Sequence, residues 1–505
     1  MSTINKSSQV GEFYLACQNG DVDFVKRYLR TLKENKNDPN PLEPNVNSTP
    51  LHAACYYGNK EIVKLLLEHR CDRSKIDGYG LTAYEEATND EIRQLFKRPQ
   101  DINCSRRFQD ESIEDCFDFV RRPKENVKYS SMKKTTIDPV TTSSSETEKI
   151  QTVQTYITKA EKQREIGYAT TSIAMCQSKL GRFIADKFND NAPMSLNTIG
   201  IRLHDIIDRE LIANKDPESL KANELLNKFL TDNSNERIKY LIHLYTLETK
   251  FYSALRQNPM PLALPLYIKL KKLKDRFFKG HSYRGAKMSD DEIAIYEWAV
   301  HNRGSLLQTR HFSSTSQNRS IAEKFANSTN DTPDDIRKNR VLFIFNFPVQ
   351  CNQAINLSRI SDTQPCLSEY ENEEEVLVLP WTLFQVEQVD KDLSSSSYTI
   401  YLTNVLLAKK SLFSSLKWIL KHPAGCMDRF HEHFPERKPD FIFSNHSRQF
   451  KAINLEFLGN NDNYIKELDT DLYETIIFNA LILNIDRISS GYILQGNVIP
   501  NNRAI

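Results

Sequence analysis

Residues 368–386 read SEYENEEEVLVLPWTLFQV and set five glutamates, Glu369, Glu371, Glu373, Glu374 and Glu375, directly against an apolar run that reads as a buried strand. Like charges repel, and the mouth of a buried strand is a poor place to gather them. Side chains alternate along a strand, so Glu373 and Glu375 are expected on one face, where a carboxylate pair makes a place for positive charge. Two other groups precede them in the chain. Tyr283-Arg284-Gly285 carries a planar, permanently charged fork suited to phosphate, although an arginine alone reads more readily as a surface salt bridge, and Gly285 equally as a turn glycine. Residues 312–316, FSSTS, supply hydroxyls, or simply a solvated loop.

Each motif recurs by chance. Their order does not: arginine, then S-T-S, then E-x-E entering a strand. Together they resemble the arginine-serine-glutamate class of mono-ADP-ribosyltransferases and are similar to NAD(P)+–arginine ADP-ribosyltransferases. YTLETKFYSALRQNP, residues 245–259, resembles the helix ahead of that family's arginine strand. Residues 368–386 resemble its acceptor-recognition turn in the form S-x-Y-x-x-E-x-E-V-L-x-x-P-x-x-x-F-x-V. The resemblance runs from about Thr152 to Leu407.

The resemblance implies roles. Splitting the nicotinamide–ribose bond of NAD is a glycosyl transfer through an oxocarbenium-like transition state, which needs a phosphate fork, groups to hold the ribose and a carboxylate beside the developing cation. Arg284 is implied as the fork, and Gly285 as a point of close backbone approach to the nicotinamide amide. Ser314 is implied to hydrogen-bond the nicotinamide ribose and help position Glu375, which holds the ribose 2′-hydroxyl and stabilises the cation. Glu373 is implied to orient and deprotonate an acceptor guanidinium, the mark of arginine specificity, with Tyr370 as the aromatic of the acceptor turn. Thr315 and Ser316 are left to hold local backbone, and Phe325 to pack in the core. Glu369, Glu371 and Glu374 are not needed by the motif. They read as a solvated acidic loop, or as a field steering a basic substrate patch to the site.

The elements around the motifs divide the chain. Thr49 to Ala54 spell T-P-L-H-x-A, and Thr49 and Ala54 recur as Thr82 and Ala87, both 33 residues on. That is the ankyrin period. Upstream, YLACQNGDVDFVKRYL matches HAACYYGNKEIVKLLL at an offset of 38, with KENKNDPNPLEPNVN as an insertion. An ankyrin array over 10–98 is expected, followed by a linker over 99–151 with a short helix near IEDCFDFV. From 152 the period is helical; Leu247, Phe251 and Leu255 fall at i, i+4 and i+8, with Pro259 stopping the run. After Lys279 the chain turns to short β-rich runs. The expected fold class is therefore multidomain: α-solenoid ankyrin repeats, then an α+β ADP-ribosyltransferase domain over 152–409, a helical lobe plus a mainly antiparallel β core. SLKWILKH and LYETIIFNALILNIDRI point to a helical extension over 410–505 of unknown role.

A formal net charge of +1 gives no field that argues for nucleic acid or an anionic membrane. No apolar stretch approaches the length of a membrane span, and the start MSTINKSSQVGEF lacks the apolar core of a signal peptide. Nine scattered cysteines fit free thiols in a reducing compartment, so an intracellular, cytoplasmic place is expected, unlike the secreted or lipid-anchored animal members of the family. His422, Cys426, His431 and His433 match no standard zinc spacing, and no metal is expected. The resulting expectation is an enzyme that moves ADP-ribose from NAD, its substrate, to arginine side chains of a protein. The ankyrin concave face would bind a protein partner and recruit the target. The alternatives are an NAD glycohydrolase, and an ankyrin scaffold bearing an inactive transferase domain.

Overall fold

The computed structural model describes residues 2–35, 47–98, 117–119 and most of 196–407, together with isolated positions at 163–178 and at 414 and 418. Apart from Trp418, the two C-terminal helical stretches and the histidine-rich KHPAGCMDRFHEH lie outside the described residues. Among the described residues, no helix is long and apolar enough to cross a membrane.

The N-terminal array stacks helix pairs: α1 (Ser2–Asn19) with α2 (Val22–Asn35), α3 (Pro50–Tyr56) with α4 (Lys60–Glu68), and α5 (Ala83–Glu86) with α6 (Asp90–Leu95). The 33-residue spacing marks equivalent starts. Thr49 and Thr82 each close a capping box, with His52 and Glu85 as partners, satisfying backbone N–H groups that a helix end leaves open. The His52 ring also reaches the Leu81 carbonyl of the next repeat at 3.1 Å. Ala53, Ala54, Ala83 and Ala87 are buried, so neighbouring helices approach closely over a core that includes Phe13, Leu29, Val63 and Ile92. Gly58 turns at φ +79°, which a side chain would resist.

A helical lobe follows: α7 (Leu196–Ile207), α8 (Ser219–Thr231), α9 (Ile238–Thr246), α10 (Phe251–Gln257) and α11 (Met260–Lys269). The period through Leu247, Phe251 and Leu255 predicts one continuous helix; the structure breaks it. Helix α9 ends at Thr246, whose hydroxyl donates back to the His243 carbonyl, and Thr249 Oγ1 accepts the Phe251 N–H to start α10. All three apolar residues are buried nonetheless. The shared period reflects a common core rather than a common helix.

Strands β1 (Phe117–Phe119), β2 (Phe277–Met288), β3 (Leu306–Thr309), β4 (Ser313–Ser316), β5 (Asn339–Asn356), β6 (Glu375–Val378), β7 (Leu383–Asp392) and β8 (Ser397–Asn404) form one sheet of order β1-β3-β7-β8-β5-β2-β4-β6. The end of β5 also pairs with β6, and every pairing is antiparallel except β5 with β8. Two helices flank it, α12 (Asp290–His301) and α13 (Arg319–Ala326). One face packs Phe343, Phe345, Phe347 and Phe384 together, and the other presents Phe312 and Leu377 to the helical lobe. The stretch IEDCFDFV corrects the expected short helix within a linker. Its residues 117–119 are strand β1, paired with β3, and Phe117 enters the sheet core. Alternating aromatics suit a pleated, half-buried position better than a helix there.

Candidate active site

The three motifs lie on three neighbouring strands. Arg284 is on β2, Ser314 to Ser316 lie on β4, and Glu375 opens β6; Ser316 faces Tyr283 on one side and Glu375 on the other. Hydrogen bonds tie the row together. Arg284 Nη1 donates to the Ser314 carbonyl at 2.7 Å, and Thr315 Oγ1 donates to the Val376 carbonyl at 2.8 Å. Ser316 Oγ donates to the Glu373 carbonyl at 2.6 Å, so Thr315 and Ser316 hold backbone. Arg284, Ser314 and Glu375 are all buried. A polar group sequestered in this way persists only with partners in place.

Helix α9 supplies the floor. Tyr245 Oη lies 3.1 Å from Ser314 Oγ, and its ring packs on Phe312. Ser368 Oγ donates to Glu375 Oε2 at 2.9 Å and accepts the Tyr370 N–H. Neither Tyr245 nor Ser368 was singled out by the sequence reading. Both lie inside the quoted motif stretches, so position was legible and role was not, because each role is a contact across elements.

The glutamate run is not the strand pair that alternation predicts. Glu371 to Glu373 form one 3-10 turn, Glu374 takes a left-handed φ of +46°, and β6 begins only at Glu375. Glu373 therefore sits on the lip above β6 rather than beside Glu375 on its face. A non-glycine residue at positive φ is unusual and held by its surroundings. Here the Glu374 carbonyl accepts the Gln317 N–H, and the Glu373 carbonyl accepts Ser316 Oγ.

Nor is Glu369 part of a solvated loop. It is buried, its carboxylate 2.9 Å from Lys221 Nζ and 2.8 Å from His243 Nε2. Burial would raise its pKa, but Lys221, His243 and Arg73 overcome that and hold it at about 2. Asp72 from the ankyrin array joins the same cluster, 3.4 Å from Lys221. Asp72, His243 and Glu369 have the donor set of a small metal site. The Lys221 ammonium already supplies the cation these carboxylates need, its charged state favoured by Glu369 and Asp72 against the cost of burial.

Gly285 has a packing role. A Cβ there would stand 2.0 Å from the Ala322 carbonyl oxygen and 2.9 Å from the Ala326 Cβ of α13. The absent side chain lets helix α13 lie against β2, a reason distinct from the ligand approach expected of it.

Glu373 is occupied by a residue from the other end of the chain. Arg98, three residues past α6, donates from Nε to Glu373 Oε1 at 2.8 Å and from Nη2 to Glu373 Oε2 at 2.9 Å. Its Nη1 pairs with Glu248. The guanidinium carbon stands 4.3 Å from the centre of the Tyr370 ring. Burial opposes the Arg98 charge, and Glu373 reverses that effect, holding the pKa above the ordinary arginine value. Around it, Arg359 of the α+β unit binds the Gly80 carbonyl and Glu85, and Arg70 pairs with Glu218. The last ankyrin repeat is thus docked on the turn that carries the glutamates.

Several solved structures are similar to this chain. HopU1 of Pseudomonas syringae, described as an ADP-ribosyltransferase, aligns at 22% identity over 29% of this chain and 54% of its own, with a TM-score of 0.22. The match thus spans about half of HopU1. The Vis toxin of Vibrio splendidus, also described as an ADP-ribosyltransferase, aligns at 18% identity over 44% of this chain and 94% of its own, with a TM-score of 0.19. Exoenzyme S of Pseudomonas aeruginosa aligns at 14% identity over 46% of this chain and 96% of its own, with a TM-score of 0.25. At the N-terminus, residues 13–106 match the family model for ankyrin repeats in three copies.

Proposed function

We propose that this protein is a mono-ADP-ribosyltransferase that moves ADP-ribose from NAD to arginine side chains of proteins. The observation that carries the reading is the meeting of Arg284, Ser314 and Glu375 on adjacent strands β2, β4 and β6. In this reading Arg284 grips a phosphate of NAD. Ser314, steadied by Tyr245, holds the nicotinamide ribose. Glu375 faces C1′ and stabilises positive charge as the C1′–N bond breaks, the bonding pair leaving with nicotinamide. A guanidine nitrogen then bonds to C1′ and gives its proton to Glu373. Support for arginine as acceptor comes from Glu373 and Tyr370, which already hold a guanidinium.

The test uses NAD labelled in the adenylate, with saturating small guanidine and a set of basic proteins as acceptors. Wild type is expected to release nicotinamide and label both. Glu375→Gln is expected to lose release by about 100-fold or more, the scale of removing one preorganised electrostatic group. Glu373→Gln is expected to keep release and lose transfer to guanidine. Release with no labelled acceptor in wild type would instead favour a glycohydrolase, and neither release nor label would favour a scaffold. Recruitment by the array remains part of the proposal. The last repeat meets its own chain, but Tyr56 and Tyr57 stay exposed on the second repeat and offer an aromatic surface for a target.

A further inference from the structure

We infer that Arg98 is an internal acceptor, a site at which the chain ADP-ribosylates itself. The inference rests on the proposed arginine transfer and names one substrate of it. Three observations converge. The guanidinium occupies Glu373 bidentately rather than the neighbouring Glu371 or Glu374. It lies over Tyr370, the aromatic of the same turn. Glu248, in the turn between α9 and α10, pairs with its remaining nitrogen. Other salt bridges between the array and the α+β unit, Arg70 with Glu218, Arg359 with Glu85 and Asp72 with Lys221, do not touch the glutamate that the proposed transfer uses. Placing an arginine deep among carboxylates costs desolvation that an exposed pair avoids. Arg98 has only 8% of its side-chain surface exposed.

The step balances without any further reactant. Arg98 Nη2 bonds to C1′ of the nicotinamide ribose, the C1′–nicotinamide bond breaks, and neutral nicotinamide leaves with the bonding pair. The proton from Nη2 passes to Glu373 Oε2, which it already contacts at 2.9 Å. The product guanidinium keeps its positive charge. Because donor and acceptor belong to one chain, the reaction is unimolecular in protein once NAD is bound, with the gain that proximity gives. The bulk of ADP-ribose cannot stay between Glu373, Glu248 and Tyr370, so modification withdraws Arg98 and opens Glu373 to external arginines.

The experiment uses the full wild-type chain with NAD. Mass spectrometry locates the modification, nicotinamide release is followed in parallel, and a small guanidine serves as external acceptor. The expected result is one ADP-ribose on Arg98, forming at a rate per molecule that stays constant over about 100-fold dilution. Arg98→Lys is expected to lose this label while still modifying the small guanidine. Labelled guanidine with unmodified Arg98 in wild type overturns this inference and leaves the arginine reading standing. Nicotinamide release with no labelled arginine or guanidine overturns the arginine reading, and this inference with it. Modification of Arg98 at a rate that rises with protein concentration shows transfer between molecules and overturns the internal acceptor. These outcomes are read on wild type and do not depend on a variant folding.

Discussion

Ser368 Oγ donates a hydrogen bond of 2.9 Å to Glu375 Oε2 and accepts the backbone N–H of Tyr370, so one serine links the strand-borne glutamate to the turn that holds Arg98. A hydrogen bond to a charged group contributes about 1.5–3 kcal/mol. Ser368→Ala is therefore expected to lower kcat for nicotinamide release by about 10- to 100-fold, with a smaller change in the KM for NAD. Steady-state kinetics checks this. Ser368→Thr, which restores a hydroxyl, should recover most of the loss if positioning of Glu375 is the cause.

Gly285→Ala is expected to act on stability. The added methyl meets the Ala322 carbonyl and the Ala326 backbone of α13, neither of which is the free end of a flexible side chain. Overpacking of this kind costs about 1–3 kcal/mol. Chemical denaturation should show the loss. A variant of wild-type stability that binds NAD weakly would instead return Gly285 to the ligand role.

Lys221→Met should be more damaging than its place on a helix of the lobe implies. It leaves Glu369 buried without its ammonium partner and Asp72 beside it. Breaking a buried pair from one side costs about 3–5 kcal/mol. Combining it with Glu369→Gln is expected to restore part of that, and a double-mutant cycle of unfolding free energies reads the coupling. A cycle that closes to zero would show the two residues to be independent.

The pH dependence at the docking surface follows from Glu371. Burial is the largest influence on this carboxyl; a hydrogen bond with Thr82 opposes it, nearby Glu85 adds to it, and the result is pushed up to about 8. A carboxyl raised in the folded state contributes stability that is fully present below its unfolded value of 4.5 and is lost as pH rises to about 8. Folding stability measured across that window should fall less steeply in Glu371→Gln than in wild type. Equal slopes would remove Glu371 as the cause.

Much of this architecture was legible in the chain because it is locally encoded. Thr49 and Thr82 announce helix starts 33 residues apart, and each capping box is closed by residues within one turn. Most of the β-rich runs became strands, because alternation with turn residues between runs is a local pattern. The errors lie where distant partners override that pattern. Leu247, Phe251 and Leu255 share a helical period but belong to two elements, separated by hydroxyl–backbone bonds at Thr246 and Thr249. Phe117 looked helical until β3 gave it a strand to pair with.

The candidate site divides along the same line. The order of the motifs, and the family they resemble, marked Arg284, Ser314, Glu373 and Glu375 as candidates, because charged and hydroxyl side chains and their order can be read directly from the sequence. Tertiary structure alone decided that Glu373 sits on a turn and not on a strand face, that Glu369 is a buried ion-pair partner, and that Arg98 meets Glu373 from 275 positions away in the chain. Contacts between residues so far apart leave no periodicity to read. They exist only once the ankyrin array and the sheet have each folded and brought their charges together.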